Sequence, residues 1–281
     1  MRPSPPLALE VALARGVGAL SRRLGAGGGT TIPGALLARL DPEAIDRLAA
    51  RLPAGTALVS ATNGKTTTAA MAAEILRPRW RLAHNAAGAN LVSGVAAALL
   101  AARDAELGLF EVDEGALPEV LQRVRPRAVC LGNLFRDQLD RYGELERVAA
   151  RWHEAADELP AEARLVYNAD DPRLAAVGAA RGGSVAFGLD DPRVARPALQ
   201  HAADSIYCLR CGAPFAYAAA YVGHLGDYRC PHGHQERPPL EVAARDVTLQ
   251  GLDRTAFLLA TPEGSRRVEL ALPGLYNVYN A

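Results

Sequence analysis

The stretch SATNGKTTT (residues 60–68) places Lys65 and Thr66 directly after Gly64. A phosphate site needs a turn of exposed backbone N–H groups, a lysine that reaches the phosphates, and a hydroxyl that holds Mg²⁺, in that order. Here Thr62-Asn63-Gly64 would form the turn, Lys65 the cation, and Thr66 and Thr67 the hydroxyls. The usual loop has another glycine five positions before Gly64, and Val59 stands there instead. By itself the stretch also reads as a Thr-rich helix cap on a surface turn. FEVDEGAL (residues 110–117) carries Glu111, Asp113 and Glu114, oxygen ligands of the kind Mg²⁺ takes directly or through water. A solvated acidic turn is the other reading. In RDQLDRYGE (residues 136–144), Asp137, Asp140 and Arg141 read either as site residues or as a helix-capping cluster.

A second group of residues has metal-ligand spacing. Cys208-Leu-Arg-Cys211 and Cys230-Pro-His232-Gly-His234 are separated by 18 residues, as in a zinc ribbon. Cys208, Cys211 and Cys230 would be three ligands, and His232 or His234 would complete a Cys₃His site. His224 is a remoter option, and a ribbon that has lost its metal is the alternative. With three or four protein ligands no open position is evident, so the zinc would be structural. The remaining cysteine, Cys130, falls in a predicted strand and reads as a buried thiol. Four cysteines in 281 residues make no disulfide framework, which favours a reducing compartment, the cytoplasm.

The elements around these residues form a regular series. TALVSA (residues 56–61) reads as a strand and TTTAAMAAEIL (residues 66–76) as a helix. LVSGVAAALLAAR, ALPEVLQRV and ELERVAARWHEAADEL follow as helices, alternating with the strands LGLFEVDE, RAVCLGNL, RLVYNADD and SVAFGLDD. Continuous apolar strands between helical patterns predict an α/β fold, a mostly parallel sheet covered by helices. This strand–turn–helix setting favours a nucleotide at SATNGKTTT, with the helix N-terminus facing the anion. It also puts FEVDE and the RDQLDRYGE segment just after strands, where ligand groups gather in open α/β sheets.

Four segments are expected. Residues 1–50 form an N-terminal helical segment with a Gly-rich loop, GAGGGTTIPG at residues 25–34, and a helix capped by Asp41 with Pro42 at its first position. Residues 51–205 form the ATP-binding domain, 206–238 a zinc-ribbon insertion, and 239–281 the end of the central domain. In the last segment TAFLLAT-PEGS-RRVELAL reads as a β-hairpin. Lys+Arg (31) balance Asp+Glu (31), so nothing draws the chain to nucleic acid. No apolar run reaches the roughly 18 residues of a membrane span.

In order and spacing, TNGKTTT, HNAAGANLVSG, FEVDE, GNLFRDQLDRYGE, YNADDP and PGLYNVYNA resemble the Mur ligases. GGGTTIPG and the Cys-rich insertion are similar to the subgroup of MurT subunits of lipid II isoglutaminyl synthase. The resemblance implies a P-loop-like Mur ligase central domain that uses ATP and Mg²⁺ to activate a carboxylate as an acyl phosphate for attack by an amine. For the subgroup it implies the α-carboxyl of D-glutamate in the lipid II stem peptide, ammonia from a GatD-type glutaminase partner, and D-isoglutamine as product. Carried over by motif, Lys65 binds phosphate, and Thr66 and Glu111 hold Mg²⁺. Thr62, Asn63, Gly64 and Thr67 complete the loop. Asn85 and Asn90 line the cleft, and Asn168 and Asp171 lie near the nucleotide. Gln138 and Tyr142 replace histidines of many Mur ligases, which weakens any case for a second Mg²⁺. Ala61 stands where the family has Gly, and Gly233 where relatives put a fourth ribbon Cys. The resemblance also implies a C-terminal ligase domain beyond residue 281, so this chain is expected to bind ATP weakly and amidate little alone. Another Mur-like or folylpolyglutamate-type amino-acid ligase, and a nucleotide-regulated zinc-ribbon binding module, are the competing readings.

Overall fold

The computed structural model describes residues 10–16, 31–85, 88–136, 144–199 and 203–281. Asp137, Gln138, Asp140, Arg141 and Tyr142 therefore lie outside the described residues, as does most of GAGGGTTIPG. The chain divides into two compact units. The first holds residues 1–60, 65–129 and 158–163; the second holds 61–64, 130–157 and 164–281.

In the first unit, β1 (Thr56–Ser60), β2 (Leu82–His84) and β3 (Leu107–Glu111) pair in parallel. β3 lies between the other two, with Val59 opposite Glu111. Leu58, Val59, Leu109 and Phe110 are buried in succession, the pattern of strands covered on both faces. Among the described residues of this unit are the helices α1 (residues 10–16), α2 (Ile32–Leu40), α3 (Ala44–Ala49), α4 (Lys65–Leu76), α5 (Val92–Ala101) and α6 (Leu117–Val124). α6 buries Leu117, Val120, Leu121 and Val124, the i, i+3, i+4, i+7 stripe of a helix lying on a sheet. In LGLFEVDE the strand stops at Glu111, so that residue and the next three form its exit turn.

β4 (Ala128–Leu131) carries the chain toward the second unit. There α7 (Glu144–Asp157), β5 (Arg164–Asn168), α8 (Pro172–Ala179), β6 (Val185–Leu189), β7 (Ala216–Val222), β8 (Leu225–Arg229), β9 (Val242–Gln250), β10 (Arg254–Thr261), β11 (Gly264–Leu270) and α9 (Tyr276–Asn280) follow. β5, β6 and β9 pair in parallel, and β9, β10 and β11 are antiparallel. The result is the expected α/β fold with a mostly parallel sheet. The expected hairpin is β10–β11, with Thr261 opposite Gly264 across its turn. β9 had no signal of its own in the sequence pattern, because Val242, Ala243 and Ala244 are followed by Arg245 and Asp246.

Between β6 and β9 the Cys-rich segment forms the separate antiparallel hairpin β7–β8. Ala219 and Tyr221 of β7 enter one apolar cluster with Leu189, Ala244, Val247, Phe257 and Val278. The hairpin therefore shares the core of this unit.

Buried Asp191 pins the exit of β6. It accepts from Arg193 Nε at 2.8 Å and Nη2 at 2.7 Å, and from Val247 N at 2.8 Å. The Arg193 guanidinium, opposed by burial and helped by the backbone N–H groups, holds the Asp191 carboxyl at about 2. A carboxyl held below its unfolded value of about 3.9 adds stability above that pH, and the gain disappears as pH falls toward 2. Asp191→Asn should accordingly lower Tm by about 4 °C at pH 7. The difference from wild type should vanish near pH 2, as calorimetric scans across this range would show.

Candidate functional site

In the first unit, β1 ends where Ser60 Oγ donates to Val112 O at 2.8 Å, while Val112 N donates to Val59 O. This ties the exit of β1 to the exit of β3. α4 opens at Lys65, and its Nζ lies 3.3 Å from Glu114 Oε2. Thr66 is exposed on the first turn of the same helix, next to half-buried Thr67.

Glu111 is 3% exposed at the last position of β3. Its backbone is clamped on both sides by Asn85: Glu111 N donates to Asn85 Oδ1 at 2.9 Å, and Asn85 Nδ2 donates to Glu111 O at 2.7 Å. Asn85 Nδ2 also reaches Ala89 O at 2.8 Å, and Asn90 Nδ2 lies 3.5 Å from Glu111 Oε1. Asp113 accepts from Gly115 N and shapes the turn. Lys65 thus meets Glu114, while Asn85 and Asn90 meet Glu111, with Asn85 as a backbone clamp. Asn85→Ala would leave buried Glu111 N–H and C=O groups unpaired, each worth about 1–3 kcal/mol. It should lower stability by about 3 kcal/mol in a denaturant titration.

In the second unit, the turn before α4 is held by Asn133. Thr62 N donates to Asn133 O and Asn63 N to Asn133 Oδ1, both at 2.9 Å, and Asn133 Nδ2 returns a bond to Asn63 O at 2.8 Å. Thr62 Oγ1 accepts from Phe135 N at 3.0 Å and donates to Phe135 O at 3.3 Å. Gly64 has φ +84°, and the side chain of Asn280 in α9 covers it. Among the described non-glycine residues only Arg125, Ser205 and Asp246 have positive φ, so Ala61 needs none of glycine's freedom.

Asn168 and Asp171 are both fully buried. Asn168 Nδ2 donates to Gly132 O at 2.9 Å, and Asp171 Oδ2 accepts from Leu134 N at 2.8 Å. Asp171 Oδ1 caps α8 through Arg173 N and Leu174 N. Their side chains hold the 132–134 loop, which in turn clamps Thr62 and Asn63. Neighbouring Asp170 accepts from Arg237 Nη1, Tyr279 Oη and Leu189 N, at 3.2, 2.7 and 2.9 Å. Burial pushes its carboxyl up, against these groups. Sequence reading did not single out Asn133, Asn277 or Asn280. The only signals were GNL after a strand and the two asparagines of YNVYN.

Cys208, Cys211, Cys230 and His234 also gather in the second unit, with ligand atoms all within 4.8 Å of one another. Of the two histidines left open by the sequence, His232 and His234, it is His234 that falls in this group. The N–H of His232 turns back onto Cys230 Sγ at 3.4 Å, and its Nδ1 approaches Cys211 Sγ at 3.5 Å. His224 lies in the tip of the hairpin, outside this group. Cys211 Sγ and Cys230 Sγ are 3.6 Å apart. Tetrahedral zinc with Zn–S bonds of about 2.3 Å would need about 3.8 Å, so the donor set fits that ion. Burial raises the Cys230 thiol, but the N–H groups of His234 and His232 and the thiols of Cys211 and Cys208 bring it down to about 7. Its thiolate is therefore accessible at neutral pH.

Residues 59–209 match the Mur ligase middle domain. The chain is 28% identical over 259 residues to the MurT subunit of the glutamine-hydrolysing lipid II isoglutaminyl synthase of Staphylococcus aureus strain N315, covering 90% of this chain and 56% of that protein. It is also 28% identical to the corresponding subunit of Streptococcus pneumoniae, with 91% and 56% covered. This chain thus spans about half the length of these relatives. Among solved structures, Thermotoga maritima MurF ligase in complex with ADP superposes with a TM-score of 0.59 at 15% identity, covering 88% of this chain and 47% of that one. A likeness at that identity supports the fold alone. With the family match spanning more than half its length, the chain belongs to the Mur ligases and carries their middle domain.

Proposed function

We propose that this chain is the nucleotide-binding part of an ATP-dependent carbon–nitrogen ligase of peptidoglycan synthesis. Its substrate would be the α-carboxyl of D-glutamate in the lipid II stem peptide. A GatD-type glutaminase would supply ammonia, and the product would be D-isoglutamine. The observation that carries the reading is Lys65 at the N-terminus of α4 together with the buried carboxylate of Glu111 at the end of β3. That pairing suits a Mg²⁺–triphosphate, since cation and metal would offset charge as the γ-phosphoryl moves. The similarity to MurT subunits supports the choice of substrate and partner.

When bound, ATP and Mg²⁺ supply the phosphoryl group that makes the carboxylate reactive. The chain's own residues divide the rest of the work. Thr62, Asn63 and Gly64 present the turn, Lys65 offers its ammonium, and Thr66 and Glu111 offer oxygens for Mg²⁺. Asn133, Asn168 and Asp171 keep the turn in place. Zn²⁺ on Cys208, Cys211, Cys230 and His234 would be structural, since four protein ligands close its coordination. The four segments expected above would serve as helical entry, central domain, ribbon and domain end. No helix among the described residues is long and apolar enough to cross a membrane. We place the reaction on the cytoplasmic side, at the lipid surface.

The test is glutamine-dependent amidation of lipid II by the full-length protein with its glutaminase, read by mass spectrometry. Loss of one dalton at D-glutamate is expected, and Lys65→Ala and Glu111→Ala should each slow it at least about 100-fold. Full activity in both variants would contradict the assigned roles. Gain of an amino-acid mass would instead favour a Mur-like or folylpolyglutamate-type ligase.

A further inference from the structure

In sequence, the tip of the β7–β8 hairpin lies between Cys208 and Cys211 on one side and Cys230 on the other, and His224 at the tip is not part of their cluster. His224 at this tip is fully buried. Its ring packs on Phe135, with centroids 4.6 Å apart and planes tilted by 49°. Its Nε2 lies 3.3 Å from Asp171 Oδ2, outside hydrogen-bond alignment, so the two side chains touch without a hydrogen bond. The adjoining Gly223 has φ +59°, and a Cβ there would stand 2.6 Å from Phe135 Cε1. A side chain at 223 would therefore displace the Phe135 ring. Gly226 N donates to Asp170 O at 3.0 Å, and Gln235 Nε2 donates to Pro172 O at 2.7 Å. Tyr217 Oη donates to His224 O at 2.9 Å and fixes the tip itself.

Two residues that the tip touches, Phe135 and Asp171, lead to the turn before α4. Phe135 is bonded through its backbone N–H and C=O to Thr62 Oγ1, and Asp171 holds Leu134 N. The next residue back, Asn133, clamps Thr62 and Asn63. We propose that His224 is a positioning residue, through which the metal-bearing hairpin holds residues 133–135, and through them Thr62 and Asn63, in the nucleotide-binding conformation. It acts without touching the nucleotide. The proposal rests on the nucleotide reading given above. It assigns the inserted hairpin a role in ATP binding beyond folding.

The test uses the whole chain and two independent readouts. In the free protein, amide hydrogen exchange at Thr62, Asn63 and Phe135 should rise about tenfold in His224→Ala and in Gly223→Ala, while β10 and β11 keep their protection. Mg²⁺–ADP affinity should fall about tenfold in both, since displacement of a site by about 1 Å can cost about 100-fold. His224→Gln, which restores a planar polar group, should recover most of the affinity. Unchanged exchange at Thr62, Asn63 and Phe135 in a folded His224→Ala protein would overturn the proposal. So would exchange that rises equally throughout β10 and β11 in all three variants, which marks a purely structural role. If Lys65→Ala binds Mg²⁺–ADP like wild type, the nucleotide reading fails, and hydrogen exchange alone decides whether the hairpin holds the turn.

Discussion

Gly64→Ala should lower Mg²⁺–nucleotide affinity at least about 100-fold while leaving the chain folded. Two effects combine at this residue. Its φ of +84° lies in the left-handed region, which costs an L-residue about 1–2 kcal/mol. A Cβ there would also stand 2.0 Å from Asn280 Oδ1 and 2.8 Å from its Cγ. Asn280 has little room to retreat. It is 8% exposed, its Nδ2 is bonded to Asn277 Oδ1 at 3.0 Å, and Asn277 is in turn bonded to Pro273 O at 2.7 Å. The turn must therefore move, and with it the N–H groups that precede Lys65. Titration calorimetry with Mg²⁺–ADP checks this, and affinity within threefold of wild type would refute it. The double variant Gly64→Ala/Asn280→Ala separates the two causes. Removing the Asn280 side chain should restore the part due to the clash and leave the part due to φ. Additive effects would mean that the two residues do not meet in solution.

The parts of this molecule written in local pattern were legible, and those decided by distant packing were not. Runs such as LGLFE and TALVS announce strands covered on both faces, because every residue in them can be buried whichever way it points. The strand–turn–helix setting of Gly64-Lys65-Thr66 was readable because that order is local. The roles of Asn168 and Asp171 were not. The segment YNADDP places them after a strand, but whether a side chain there faces a cleft or a neighbouring loop depends on Gly132 and Leu134, more than 30 positions earlier. Asn133 escaped notice for the same reason, since its partners Thr62 and Asn63 lie 71 and 70 positions away in sequence. In the cysteine cluster, spacing singled out the three cysteines that gather but left the histidine open. His232 and His234 both lie within four residues of Cys230, and only the fold of that turn distinguishes them. With the His232 N–H directed at Cys230 Sγ, the His234 ring is the one that joins the three thiols.

The largest stability effect is expected at that cluster. Purified protein should carry one equivalent of zinc, and Cys230→Ser should lose it and lower Tm by about 10 °C. The reason lies in how the hairpin is held. β7 and β8 form a two-stranded ribbon, which is marginal in water without further support. Support comes from two sides. Ala219 and Tyr221 pack into the cluster around Phe257, and the side chains of Cys208, Cys211, Cys230 and His234 gather at the other end. A domain whose only core is its zinc site unfolds when the metal leaves. This hairpin keeps its apolar anchor, so metal loss should loosen it without unfolding the β9–β10–β11 sheet. The melting transition should therefore broaden as well as shift, and β10 amides should stay protected in Cys230→Ser. The histidines give the sharper discrimination. His234→Ala should release zinc to a chelator at least about tenfold faster than wild type, while His232→Ala should retain it. The reverse order would assign the fourth ligand to His232. Zinc well below one equivalent in wild type, unaltered by Cys230→Ser, would show that these four residues hold no metal.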